Sequence, residues 1–332
     1  MTVSTSSPTA KRYIIYGAGA IGGTVGGRLA LSGHDVVLIG RPAHVQAIRE
    51  RGLRFVTPAG VHILRLPAVA SPAELTLQPN DIVLMCMKGQ DSEDALRDLS
   101  AVSNDAPIFC FQNGVRNESI ARRFFPRVYG VMVHVGGVYL TAGEIICRRD
   151  PPGSLALGVF PDGVDDLAQE VGAALRDAGF RVLVTPDVMP YKWGKLLGNL
   201  ANAIGAATDG NDPGGRIAKA VRAEATALMT EAGIRWITWE EAQHDHPELA
   251  TPDSGEVPMK AHSSTWQSLM RGQGSVETDF LNGEIVRLAA QLGKTAPLNA
   301  ALQQVAEEMA ARNDKPGAYT AAQLAARLGI SW

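Results

Sequence analysis

A lysine and two asparagines share the stretch "YKWGKLLGNLAN", Tyr191 to Asn202. Lys195, Asn199 and Asn202 supply an amine and two amides, groups that give up protons or hold the polar atoms of a ligand. Leu196, Leu197 and Leu200 form an apolar stripe, so the stretch reads as a helix. At about 100° per residue the three polar side chains point within about 60° of one another. A lysine serves as a general acid where burial or a neighbouring cation lowers its pKa toward neutrality. The amides beside it could hold a carboxylate and a hydroxyl. The alternative is a solvated face, because Lys and Asn usually meet water.

A second pattern gives the lysine something to work with. "YGAGAIGG" places Gly17, Gly19 and Gly22 in the order G-x-G-x-x-G, after the strand-like "RYIIYG" and at the start of the helix-like "IGGTVGGRLALSG". Glycines at these positions allow a tight turn, close approach of a pyrophosphate, and close packing of helix on strand. Ala20 and Ile21 lie at the helix N-terminus, where amide donors and the positive dipole end suit phosphate. The alternative is an ordinary glycine-rich turn. The second strand, "DVVLIG", ends in Gly40 and Arg41 where an NAD site would carry an acidic residue. An arginine pairs with the 2′-phosphate of NADP and stacks on adenine, so the pattern favours NADP (as NADPH) over NAD; the alternative for Arg41 is a solvated surface residue. Lys88 and Asn113 end the strand-like "DIVLMCMK" and "FCFQN", and ligands of open parallel sheets bind beyond the carboxyl ends of strands. Each alone reads equally well as a surface lysine or a turn asparagine; together they favour function, Lys88 as a cofactor ligand and Asn113 as a ligand of cofactor and substrate. A ketone reduced by a nicotinamide needs a proton on its oxygen, the role that Lys195 would fill.

The elements that must position these residues divide the chain in two. Apolar strands alternate with helices such as "DSEDALRDLS" and "NESIARRFF", which predicts a parallel sheet covered on both faces. "VYGVMVHVGGVYLTAGEIICRRD", "SLALGVF" and "RVLVTPD" add later strands around the helical "VDDLAQEVGAALRDAGF". After Asp187 the strand signal stops and helical periodicity takes over. The expectation is an α/β chain: a Rossmann-type doubly wound domain over residues 1–187, with 1–10 a frayed tail, then an all-α substrate and catalytic domain over 188–332. "WEEAQHDHPELATPDSGEVPMKAH" interrupts the helices and reads as at least partly loop.

Bulk properties narrow the setting. The 332 residues suffice for two domains, and 45% hydrophobic with 20% charged residues is the balance of a soluble globular protein. A net charge of −3 gives no bias toward nucleic acid or membrane, and no run reaches transmembrane length. Cys86, Cys110 and Cys147 are odd in number and lack metal-ligand spacing, as expected of buried thiols in a reducing, cytoplasmic compartment. His244, His246 and His262 read as solvated rather than metal-binding. Trp236, Trp239 and Trp266 read as helix packing, with Trp266 close enough to Ser264 to line a pocket. Apolar stripes on the helical domain would suit a homodimer.

With these residues in view, the chain resembles the ketopantoate reductases (2-dehydropantoate 2-reductases) over nearly its whole length. The marks are "GAGAIG", "CMKGQD", "FQNGV", "DVMPYKWGKLLGN", "SST" and "VETDFLNGEIV". The resemblance implies a Rossmann domain followed by a helical domain, and NADPH-dependent reduction of 2-dehydropantoate to (R)-pantoate in pantothenate biosynthesis. It implies Lys195 as general acid, Glu277 as a residue assisting catalysis, Asn199 as a substrate ligand and Ser264 as a ligand of the substrate carboxylate. Lys88 and Asn113 match the family's strand-end lysine and asparagine. The sequence departs from the family in three places. Ala203 stands where a second substrate asparagine is expected, with Asn202 one position earlier. The spacing from Ser264 to Glu277 is longer and holds Gly272 and Gly274. The loop from Glu240 to His262 does not match the family's more helical segment. These departures bear on substrate choice and leave open a related dehydrogenase for another branched or aromatic 2-oxo acid. A rival of another class is a non-catalytic NADP-binding sensor or structural protein, which would keep the glycine turn but need not keep Lys195, Asn199 and Glu277 together.

Overall fold

The computed structural model of the chain describes residues 11–250, 257, 263–272 and 274–331. His262 and much of the polar loop lie outside the described residues, as do residues 1–10. The chain packs as two compact units. The first comprises Met1–Gln112, Asn117–Met189 and Ala242–Pro258; the second comprises Asn113–Arg116, Pro190–Glu241 and Met259–Trp332. Two short exchanges thus cross the single change of character that the sequence suggests near residue 187.

The first unit holds the strands β1 (Arg12–Tyr16), β2 (Asp35–Ile39), β3 (Leu53–Thr57), β4 (Gly60–Leu64), β5 (Ala68–Val69), β6 (Asp81–Met85), β7 (Ile108–Cys110), β8 (Val128–Val135), β9 (Gly137–Val138), β10 (Glu144–Cys147), β11 (Gly153–Val159) and β12 (Arg181–Val184). Its helices are α1 (Ala20–Leu31), α2 (Pro42–Arg51), α3 (Ser92–Ser100), α4 (Asn117–Arg122) and α5 (Asp166–Asp177). The main sheet has 8 strands in the order β12-β11-β8-β7-β6-β1-β2-β5. Its pairs are parallel except β8 with β11. Strand residues alternate between two apolar layers: Ile15, Leu38 and Leu84 enter one, Ile14, Val37 and Val83 the other. Burial on both faces is why these strands read as continuous apolar runs. β1 lies between β2 and β6, so the winding reverses there, at the point where open α/β sheets bind ligands.

A second sheet has 4 strands, β4-β3-β10-β9; β9 and β10 lie in a stretch that reads as strand, whereas β3 and β4 went unseen in the sequence. Helix α1 is pressed between the two sheets by paired glycines. A Cβ on Gly26 would lie 2.9 Å from the Ile15 side chain, and one on Gly22 2.8 Å from it, both toward the main sheet. On the other side a Cβ on Gly23 would lie 2.5 Å from Ile145 and one on Gly27 2.7 Å from Phe55, residues of β10 and β3.

The remaining helices are α6 (Met189–Asn199), α7 (Asn202–Ala207), α8 (Arg216–Glu231), α9 (Trp239–Asp245), α10 (Ser264–Met270), α11 (Asn282–Gln291), α12 (Pro297–Ala311) and α13 (Ala321–Arg327). Within the second unit, a buried polar network joins α8, α11 and α12. Asn299 Nδ2 donates to Val221 O at 3.2 Å and Glu224 Oε2 at 2.8 Å, and Asn282 Nδ2 donates to Asn299 Oδ1 at 3.0 Å. Asn282 Nδ2 also donates to Leu200 O at 3.3 Å. That contact falls at the break between α6 and α7, so "YKWGKLLGNLAN" is not one continuous helix. Arg222 Nε donates to Leu197 O at 3.0 Å beside the same break. Side chains inserted against carbonyls of an i→i−4 ladder are a recognised cause of such interruptions.

Candidate active site

In the sheet unit, the glycine turn fits the three tasks asked of it. Gly17 has φ 103°, and a Cβ there would lie 2.4 Å from Met87 N, so only glycine can make this turn. A Cβ on Gly19 would meet nothing within 4 Å, leaving its backbone open to a close-lying group. A Cβ on Gly22 would lie 2.3 Å from Gly17 O, so the third glycine lets helix meet strand. Gly17 N and Ala18 N donate to Ile39 O at 2.9 and 3.0 Å, stitching the turn to the end of β2. Ala20, Ile21 and Gly22 form the first turn of α1, where backbone donors lack helical partners. Arg41 is exposed and caps α2, ahead of Pro42. These features suit the diphosphate of a dinucleotide.

Lys88 is half-buried and lies past the end of β6, not in the strand. It caps a short 3₁₀ turn, Gly89–Asp91. Beyond the strand, side chains take up the hydrogen bonding. Gln112 Nε2 donates to Met87 O at 3.1 Å and to Ser92 Oγ at 2.6 Å, and Ser92 Oγ donates to Asn117 Oδ1 at 3.0 Å. Gln112, Ser92 and Asn117 were missed from sequence; a glutamine beside the quoted asparagine in "FQNGV" was the available signal.

The helical unit contains the other candidates. Lys195 is half-buried on α6, and burial pushes its pKa down to about 8. Asn199, buried at the end of α6, donates from Nδ2 to Asn113 Oδ1 at 3.1 Å. Asn113 itself lies past the end of β7 and is grouped with this unit. Asn202 opens α7 on the far side of the helix break, and the single-helix argument that aligned it with Lys195 does not hold. Its carbonyl accepts from Ser263 Oγ at 3.2 Å. Ser263 also caps α10 by accepting from Trp266 N at 3.2 Å, so of the two serines it is the structural one. Ser264 is the first residue of α10 and half-buried. Trp266 Nε1 donates to Asp209 Oδ1 at 2.9 Å. Glu277 is buried and leads into the 3₁₀ turn Thr278–Phe280. Gly272 and Gly274, in the longer spacing before it, both have positive φ, 62° and 67°.

Other features bear on neighbouring expectations. Among the described residues, no three His, Cys, Asp or Glu come together to hold a metal ion. No described helix is long and apolar enough to cross a membrane. Cys110 and Cys147 are buried thiols and Cys86 is a half-buried one; among the described residues none is in a disulfide. His244 lies on α9, and His246 Nδ1 lies 3.3 Å from Glu248 Oε1.

Comparison with known proteins bears on this arrangement. The family model "Ketopantoate reductase PanE/ApbA" matches residues 13–162, and "Ketopantoate reductase PanE/ApbA C terminal" matches residues 187–310. A 2-dehydropantoate 2-reductase of Pyrococcus horikoshii is 31% identical over 297 residues, covering 87% of this chain and 94% of that one. The crystal structure of a PanE/ApbA family ketopantoate reductase from Ralstonia eutropha superposes with a TM-score of 0.74 at 28% identity, covering 91% and 99%. A D-mandelate dehydrogenase, in a ternary structure with NADH and anilino(oxo)acetate, shares the fold at 22% identity and a TM-score of 0.76, covering 92% and 99%. Matches of this breadth to both halves of one family place the chain in it: it belongs to the ketopantoate reductases and is a pyridine-nucleotide oxidoreductase with a small-molecule substrate.

Proposed function

We propose that the protein reduces 2-dehydropantoate to (R)-pantoate with NADPH, and that Lys195 is the general acid. The observation that carries this reading is the half-buried Lys195, lowered to about 8 on the helix that ends in Asn199. An amine of that pKa is mostly protonated at neutral pH and gives up its proton readily. When bound, the nicotinamide supplies a hydride to the carbonyl carbon. Lys195 Nζ gives its proton to the carbonyl oxygen as charge develops there, and recovers one from solvent. Before the transfer its positive charge polarises the carbonyl. Asn199 and Ser264 hold the hydroxyl and carboxylate of the substrate, with Asn202 as a further amide. Glu277 assists by modulating the charge of the lysine.

Gly17, Gly19, Ala20, Ile21 and Gly22 would hold the diphosphate, and Arg41 the 2′-phosphate that distinguishes NADPH. Lys88 and Asn113 would hold the nicotinamide end. A second reading, a dehydrogenase for another branched or aromatic 2-oxo acid, is favoured by Ala203 in place of the expected asparagine. Steady-state kinetics across a panel of 2-oxo acids, each with NADPH and NADH, test both. The highest kcat/KM is expected for 2-dehydropantoate with NADPH. A higher value for an aromatic 2-oxo acid selects the second reading, and no turnover of any panel member removes both.

A further inference from the structure

The segment Asn113–Arg116 carries the candidate ligand Asn113 and, at its end, an arginine with no role in the chemistry above. Arg116 is only 18% exposed in its side chain, and its partners come from one stretch of the same unit. Nη2 donates to Asp279 Oδ2 at 2.7 Å and to Asp279 O at 2.8 Å. Nε forms an ion pair with Glu284 Oε2 at 2.7 Å, where the carboxylate is 10% exposed. The guanidinium carbon stands 4.0 Å from the centroid of the Phe280 ring. Gly114 completes the contact: with φ 81°, a Cβ there would lie 2.7 Å from Phe280 O. Burial pushes the Glu284 carboxyl up, and the Arg116 charge opposes that shift.

Two carboxylates at the edge of the guanidinium and a ring on its face leave it one orientation. The turn that Glu277 opens is closed by its own bond, Phe280 N donating to Glu277 O at 3.0 Å, so contacts on Phe280 and Asp279 hold the turn that begins at Glu277. On the other side of the same clamp, Asn113 accepts from Asn199 at 3.1 Å. We infer that Arg116 is a positioning residue for the reductase chemistry: it locks the Glu277–Phe280 turn onto the Asn113 segment and fixes Glu277 and the Asn113–Asn199 pair in one register. This inference rests on the reading of the site as that of a 2-oxo acid reductase. A lysine could pair with one carboxylate but not fork between two and stack at once.

The test uses the full chain with Arg116→Lys, Arg116→Met and the milder Asp279→Asn. For each, thermal melting is measured, along with kcat and KM for the best 2-oxo acid at saturating NADPH, and the Kd of NADPH. Displacement of a positioned group by an ångström can cost about a hundredfold in rate. Arg116→Lys is expected to lower kcat/KM by roughly tenfold to a hundredfold at a temperature well below its melting point. Arg116→Met should fall at least as far and Asp279→Asn less, with the NADPH Kd within about twofold throughout. A lowered melting point with unchanged kcat/KM in Arg116→Lys overturns the inference, because the clamp then serves stability alone. Failure of both Arg116 variants to fold while Asp279→Asn matches the wild type overturns it on the same ground. A wild type inert toward every 2-oxo acid is a separate outcome, which removes the reductase reading and this inference with it.

Discussion

Asn199 Nδ2 donates to Asn113 Oδ1 at 3.1 Å, joining a helix end to a loop 86 residues away in sequence. The bond fixes which way the Asn199 amide faces, so its remaining hydrogen and its carbonyl oxygen are directed rather than free to rotate. If Asn199 holds substrate, Asn113 also orients it. Asn113→Ala and Asn199→Ala should then each raise KM for the 2-oxo acid, and the double variant should lose less than the sum. A coupling of about 0.5–1.5 kcal/mol is expected for one such bond. Strict additivity in a double-mutant cycle would separate the two residues.

Lys195 sets a pH dependence whose direction follows from its lowered pKa. The protonated amine is the active form of an acid, so kcat should be high below about 8 and decline as pH rises through that value. Lys195→Ala should remove this limb and lower kcat by at least about a hundredfold, with NADPH affinity little changed. Glu277→Gln should move the limb without abolishing it. Stopped-flow and steady-state profiles from pH 6 to about 10 cover the window. A mutant with near wild-type kcat would assign the proton to water or to Lys88.

Arg41 is the cofactor test. Its exposure and its place at the start of α2, next to the end of β2, leave its guanidinium available to a 2′-phosphate. Arg41→Ala should weaken NADPH binding by about tenfold to a hundredfold, the worth of a charge-assisted contact of roughly 1.5–3 kcal/mol. NADH binding should change little. Fluorescence titration with both nucleotides decides it, and equal losses would take the role from Arg41.

Asn282 tests why α6 and α7 are separate helices. It is fully buried, and its amide serves both Leu200 O and Asn299 Oδ1. Asn282→Leu should leave both acceptors unpaired and destabilise the protein by about 1–3 kcal/mol for each. Chemical denaturation measures this, and a loss under about half a kcal/mol would mean that the break has another origin.

How much of this was legible varies with the range of the interaction responsible. The glycine turn was readable because strand, turn and helix adjoin in "RYIIYGAGAIGG", and each glycine has a local reason. The apolar runs of β1, β2 and β6 were readable because both faces of the sheet are covered. The β3–β4 hairpin was missed although its signal is present: Leu53, Phe55 and Thr57 point inward, Arg54 outward, and Gly60 makes the turn. Its second strand is largely exposed, so it lacks the apolar run that marked the others. The helix break after Asn199 had no local signal at all. The side chains that bond the carbonyls there, Arg222 and Asn282, lie far along the chain. The surroundings of Lys88 were hidden for the same reason, because Gln112 binds Met87 from another loop.

The glycine pairs of α1 constrain how this protein can diverge. Every single-nucleotide change in a glycine codon that alters the residue adds at least a Cβ, or ends the chain. At Gly23 that atom would stand 2.5 Å from Ile145, and at Gly27 2.7 Å from Phe55, distances that require a neighbour to yield. Overpacking of this kind costs about 1–3 kcal/mol. Substitutions here should therefore come in couples, a larger residue at 27 with a smaller one at 55, or at 23 with a smaller one at 145. The second sheet, with no residue in the catalytic argument, thereby dictates the spelling of the helix that opens at the glycine turn.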